Sequence, residues 1–143
     1  MIRLRWLGVA GVELSAGGRV LAVDPFLTRP PWWRLWLGRV TPDVALLARH
    51  LPRCDAILVT HAHWDHMLDV PALARQSGAP VYGSANVCAL AAACGVPDRQ
   101  IHLIQAGEHL DLGPFQVDVL PGTHIQVPGF GPQPLSERLS PPL

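Results

Sequence analysis

The sequence predicts an α/β layered domain, and three observations carry that reading. Short apolar strands alternate with segments of helical spacing along most of the chain. A compact apolar run, Ala56-Ile57-Leu58-Val59, suits a strand buried on both faces, as the inner strands of a parallel sheet are. At 143 residues, with 49% apolar and only 15% charged positions, the chain is long and apolar enough for one core, which excludes the disordered class.

The elements follow in order. The first third reads as a meander of strands at Ile2 to Leu7, Val12 to Ser15 and Val20 to Val23, turned by Gly17-Gly18 and ended by Asp24-Pro25. Residues 28–42, TRPPWWRLWLGRVTP, have no clean period and read as a long excursion. Asp43 is positioned as the N-cap of a short helix from Val44 to Leu51. After the buried strand at 56–59, a helix is expected from Val70 to Gln76 and a strand at Val81-Tyr82. An alanine-rich helix from Ala85 to Cys94, closed by Gly95, comes next. Strands at Ile101 to Ile104 and Phe115 to Leu120 complete the pattern. Beyond His124 the chain turns rich in Pro and Gly, so the domain is read as 1–126 and 127–143 as a tail.

Charge nominates no partner. Acidic and basic residues balance at 11 each, whereas a protein that neutralises phosphates normally shows a basic excess, so no nucleic acid is expected. Cys54, Cys88 and Cys94 are odd in number and sit among apolar residues, which suggests reduced core thiols in an intracellular protein. The N-terminal residues alternate charged and apolar types and do not resemble a secretory signal, so a cytoplasmic location is expected.

The chemistry concentrates at Thr60-His61-Ala62-His63-Trp64-Asp65-His66, directly after the buried strand. In an extended segment alternate side chains share a face, so His61 and His63 can direct two imidazoles at one ion. Asp65 and His66 lie just beyond, where the chain must turn, and could serve a second ion or position a water. Neutral imidazoles and a carboxylate suit zinc and its first-row neighbours. His124 also follows a strand end, behind Pro121-Gly122, and is the natural third ligand. His50, His102 and His109 lack such a context and read as structural or solvated.

The string THAHWDH, with RWLGVAGVEL and LAVDPFL upstream and LPGTH downstream, resembles the metallo-beta-lactamase superfamily, in particular its lactonase-like and N-acyl-phosphatidylethanolamine phospholipase-like branch. The resemblance implies an αββα sandwich of two sheets between helices, of which this chain matches the N-terminal half. It also implies that His61, His63 and His124 hold a first metal and that Asp65 and His66 contribute to a second. Asp24 matches an acidic residue at an early strand end that organises the ligands, although a turn-capping Asp before proline would look the same. The bridging Asp and further His that complete the family's site have no counterpart among these residues, and Val9 stands where relatives often carry a polar residue.

The expected activity is metal-dependent hydrolysis of an ester, lactone or phosphodiester through a metal-bound hydroxide, with zinc as one or two ions, or manganese or iron. Asp65 would orient the nucleophile or accept its proton. The alternative is a metal-binding half-domain without catalysis, and a homo-oligomer is a further expectation. Trp32, Trp33 and Trp36 are expected to pack over the core; the alternative is a membrane-facing lid for a lipid-like substrate.

Overall fold

The computed structural model describes residues 1–36 and 40–122. Its centre is a six-stranded sheet in the order β1-β2-β3-β4-β5-β6, built from Arg3–Gly8, Gly11–Ala16, Arg19–Val23, Ala56–Leu58, Val81–Gly83 and Ile101–Leu103. The first three strands form an antiparallel meander, and β3 to β6 run parallel. Parallel neighbours need crossovers, and helices supply them. They are α2 (Val44–His50), α3 (Trp64–Met67), α4 (Val70–Ser77) and α5 (Ala85–Ala93), all following α1 (Trp32–Trp36).

Local chemistry sets the helix ends. The Asp43 carboxylate accepts the Leu46 N–H at 2.9 Å and starts α2 where the sequence placed it. Gly78 takes the left-handed conformation, φ 74°, that closes α4.

Side chains on the inner strands alternate between two apolar clusters. On one face Ile57, Val59 and Val81 meet Met67, Val70, Leu73 and Val87 from the helices. On the other, Leu21, Ala56 and Leu58 meet Phe115 beside a ribbon of β7 (His109–Asp111) and β8 (Gln116–Asp118). One helix layer, one sheet and the start of a second β-layer are thus stacked in order, in keeping with the expected α/β architecture.

Three expectations need correction. The excursion at 28–42 contains the short helix α1, whose first turn is fixed by the Arg34 N–H bonding to the Pro31 carbonyl at 2.9 Å. Trp32 and Trp33 do not pack over the core: they are 74% and 47% exposed, and the side chain of Trp36 lies outside the described residues. Of the three cysteines only Cys54 is fully buried, and all three are free thiols. Strand β7 is an addition, since three residues, His109-Leu110-Asp111, are too few for alternation to stand out in sequence.

Among the described residues no helix is long and apolar enough to cross a membrane. His124, Glu137 and the segment 127–143 lie outside the described residues.

Candidate metal centre

Parallel pairing brings the ends of β3 and β4 to the same edge of the sheet, with Val23 beside Leu58. Asp24 leaves β3 there and Thr60 to His66 leave β4, so two chain segments distant in sequence deliver their polar side chains to one place. Asp24 adopts φ 44°, in the left-handed region that Asp tolerates better than most residues. Its N–H bonds the Leu58 carbonyl at 2.9 Å, which anchors the turn to the neighbouring strand.

The buried Asp24 carboxylate collects the site. Oδ1 accepts the Thr60 N–H at 2.8 Å, and Oδ2 accepts the Thr60 hydroxyl at 2.6 Å. That hydroxyl also lies 3.0 Å from Nδ1 of His61. Since the Thr60 proton goes to Asp24, the oxygen is left to accept from His61 Nδ1–H, which puts the lone pair of this imidazole on Nε2. Nδ1 of His66 lies 2.9 Å from Asp24 Oδ2, with both side chains buried. The approach is off the hydrogen-bonding direction, so this ring nitrogen lies against the carboxylate without an aligned hydrogen bond.

The imidazoles form a group. His61 Nε2 and His63 Nδ1 are 3.0 Å apart, and their ring centroids are 4.4 Å apart. The ring of His66 lies 4.0 Å from that of His61. Asp65, in the first turn of α3, has Oδ2 at 3.9 Å from His66 Nε2. Residues 61, 63, 65 and 66 and the more distant Asp24 therefore converge at one end of the strands. His63 is the N-cap of α3, so the turn expected at Asp65-His66 is a single turn of helix that carries the His66 side chain back under His61.

In kind, the donors fit a first-row cation: two nitrogens 3.0 Å apart can take adjacent positions around one ion at bond lengths of about 2.0–2.1 Å. The displaced hydrogen bond at His66 is a second sign of fit, because a buried ring nitrogen without an aligned partner is costly in a finished core. Among the described residues, however, no three His, Cys, Asp or Glu side chains converge closely enough to hold a metal by themselves.

Two supporting residues were not anticipated. Thr60 was visible only as the first letter of the motif, and its role depends on a partner 36 positions away. Asp69 is fully buried and accepts the N–H groups of Leu27 and Thr28 and the Thr28 hydroxyl, which ties the loop after β3 to the start of α4. Phe26 in that loop meets Trp64 edge to face, with centroids 5.5 Å apart, and so braces the motif from the side.

A family model described as "Beta-lactamase superfamily domain" matches residues 19–138. The chain belongs to this family. Relatives of this superfamily chain include a UPF0173 metal-dependent hydrolase of Cupriavidus taiwanensis, 38% identical over 112 residues, which are 76% of this chain and 36% of that protein. Another, from Pyrobaculum arsenaticum, is 30% identical over 124 residues, 86% of this chain and 51% of the relative. Among solved structures, the metallo hydrolase Igni18 of Ignicoccus hospitalis has a TM-score of 0.64 at 22% identity, covering 86% of this chain and 49% of Igni18. The metallo-beta-lactamase SMB-1 has a TM-score of 0.55 at 22% identity, covering 79% and 48%. The fold is therefore that of the metallo-beta-lactamases. This superfamily chain spans about half or less of the length of the relatives it matches.

Proposed function

We propose that the chain carries the metal-binding part of a metal-dependent hydrolase, with residues 1–126 corresponding to the first half of the longer domain in its relatives. The observation that carries this reading is the imidazole cluster of His61, His63 and His66 at the strand ends, backed by Asp24 directly and through Thr60. His61 and His63, with His124 as the expected third donor, would hold a first ion, and Asp65 with His66 would serve a second. When bound, a zinc ion lowers the pKa of coordinated water to about 7 and polarises a carbonyl or phosphoryl oxygen; manganese or iron would suit the same donors less distinctively.

The protein's own part is orientation and proton handling. The Asp24–Thr60 pair fixes which nitrogen of His61 carries the proton, as carboxylates behind ligand histidines do in metal sites generally. Asp65, one-third exposed and beside the cluster, is the group placed to take a proton from an attacking water and return it to a leaving group. The bond cleaved is an ester, lactone or phosphodiester. The exposed rings of Trp32 and Trp33 and the half-exposed Trp64 favour a substrate with an apolar, lipid-like part.

The test is metal loading followed by assay. Purified chain is dialysed against zinc, its bound metal is counted by elemental analysis, and hydrolysis of p-nitrophenyl esters, a simple lactone and bis(p-nitrophenyl) phosphate is followed. One or two zinc ions per chain, lost in His63→Ala together with turnover, is the expected result. Zinc retention equal in the wild type and in a His61→Ala/His63→Ala double variant would overturn the metal centre. Tight binding of one ion with no turnover on any probe would select the non-catalytic half-domain instead.

A further inference from the structure

The end of the sheet that bears the imidazole cluster also carries an arginine that the metal chemistry does not use. Arg29, in the loop after β3, is exposed, yet its guanidinium is tied down from several sides. Nη1 donates to the Phe26 carbonyl and, at 3.4 Å, to that of Thr28, and Nη2 donates to the Leu7 carbonyl at 3.1 Å. Cζ lies 4.4 Å from the centroid of the buried Phe26 ring, a cation–π contact. Gly8 completes the seat, since a Cβ there would collide with Nη2. A side chain that ordinarily keeps about 2 kcal/mol of rotamer entropy is thus held in one place.

Both sides of this seat lead to the motif. Phe26 meets Trp64, which stands between His63 and Asp65, edge to face at 5.5 Å. On the other side, a Cβ on Gly11 would sit 3.2 Å from Cβ of Leu7 and 3.0 Å from the Asp24 carbonyl. The turn that takes the Arg29 hydrogen bond is therefore packed on the residue whose carboxylate faces Thr60 and His66. The partners of Arg29 are neutral. Arg5, Arg19 and Arg53 each face a carboxylate, whereas among the described residues Arg29 meets only carbonyl oxygens. A carbonyl orients the guanidinium without cancelling its charge, and at most three of its five N–H groups are taken. A cation fixed in this way binds an anion with no counter-ion to displace and little further ordering to lose.

We propose that Arg29 positions the substrate by holding an anionic oxygen group, a carboxylate or a phosphate, that lies apart from the bond to be cleaved. The inference rests on the hydrolase reading above and narrows its substrates to molecules that carry such a group. A neutral ester or lactone gains nothing from the guanidinium, whereas an anion accepts its N–H groups and is steered toward this end of the sheet. The contact is the same before and during reaction, so it lowers KM and leaves kcat alone.

Two measurements test this. The first follows the zinc-loaded chain on mono-p-nitrophenyl glutarate and on p-nitrophenyl valerate, esters alike but for the terminal carboxylate. The wild type should favour the glutarate, and Arg29→Gln should raise its KM about 10- to 100-fold while leaving its kcat, and both constants for the valerate, within about twofold. Arg29→Lys keeps the charge but not the planar fork and should recover only part of the loss. If Arg29 were only a brace between Leu7 and Phe26, the glutamine variant would slow both esters alike; that result, or a wild type without preference, overturns the proposal. The second measurement needs neither metal nor turnover. Phenyl phosphate and phenylacetate are titrated into the zinc-free chain while the Arg29 Nε–H and Trp64 indole N–H resonances are followed by nitrogen-15 NMR. Saturable shifts in the millimolar range are expected, weakened by salt, with the Trp64 response lost in Arg29→Gln. A response to only one of the two anions identifies the group that is held, and a response to neither overturns the proposal. Shifts that persist in a chain inactive on both esters would uphold the anion site and count against the hydrolase reading instead.

Discussion

Oδ2 of Asp24 lies 2.9 Å from Nδ1 of His66 and accepts the Thr60 hydroxyl at 2.6 Å, so one buried oxygen faces the end of β4 at two points separated by six residues. Asp24→Asn keeps the shape but replaces one acceptor oxygen by an amide that donates. With the amide nitrogen in the Oδ2 position the Thr60 hydroxyl loses its acceptor, and with it in the Oδ1 position the Thr60 N–H does, so either orientation loosens the end of β4 that carries the imidazoles. A fall in zinc affinity of about 10- to 100-fold is expected. A loss of about 2 kcal/mol in stability should accompany it. Competition titration with a chromogenic chelator reads the first and urea unfolding the second; unchanged zinc affinity would mean that Asp24 serves the turn alone.

Behind the motif, Asp69 and Thr28 form a buried knot. The Thr28 hydroxyl donates to Asp69 Oδ1 at 2.6 Å and accepts the Asp43 N–H at 2.8 Å, while Asp69 Oδ2 takes two backbone N–H groups at 2.6 and 2.7 Å. Thr28→Val removes the hydroxyl at constant volume and should cost about 2 kcal/mol. Asp69→Ala leaves three donors unsatisfied and should cost about 3 kcal/mol or more. Because both changes break the same bond, the double variant should fall short of their sum by at least about 1 kcal/mol. Urea midpoints at constant m value measure all three; strict additivity would contradict the knot.

How much of this was legible in the sequence depended on range. The Asp43 cap, the glycine that closes α4 and the buried strand at 56–58 rest on neighbours within a few residues, and they lie where the pattern put them. His61 and His63 were legible as a pair because strand periodicity alone aligns them. Thr60 and Asp69 were not, since each acts through a partner 36 or more positions away that only the parallel sheet brings near. Trp32 and Trp33 misled because large apolar rings are buried on average, whereas here both stay exposed on a five-residue helix.

Val9 sits at φ 50°, a conformation that a β-branched side chain adopts only under strain of about 1–3 kcal/mol. The turn is held there from both sides: Trp6 donates its indole N–H to the Val9 carbonyl at 3.0 Å, and Gly11 lies so close to the Asp24 carbonyl that a Cβ would sit 3.0 Å from it. The Val9 side chain is exposed, so little burial is lost with it. Val9→Gly relieves the strain but loosens the unfolded chain by about 0.5–1 kcal/mol, leaving a net gain of about 1 kcal/mol. Thermal unfolding should show a rise of a few degrees. A lower melting temperature would show that the surroundings hold Val9 without strain.

Two groups away from the motif set opposite limbs of the pH–stability curve. Burial of Asp55 works to raise its carboxyl pKa, but hydrogen bonds from Arg53 and the Val20 N–H and the charges of Arg53 and Arg19 outweigh it, and the group titrates below its ordinary 3.8. A carboxyl whose folded pKa is depressed stabilises the fold above its unfolded value of about 3.9, and that contribution vanishes as pH falls through the folded value. Asp55→Asn should therefore flatten the acid limb below about pH 4. Burial pushes the Cys54 thiol from 9.0 up to about 12, against weaker lowering by backbone hydrogen bonds. Its folded pKa is raised, so its contribution is intact below pH 9.0 and is lost as pH climbs toward 12. Cys54→Ala should remove that alkaline decline while adding a small cavity cost at every pH. Unfolding free energies from urea titrations between pH 3 and pH 11 separate the two limbs, and an alkaline limb unaltered by Cys54→Ala would assign it to other groups.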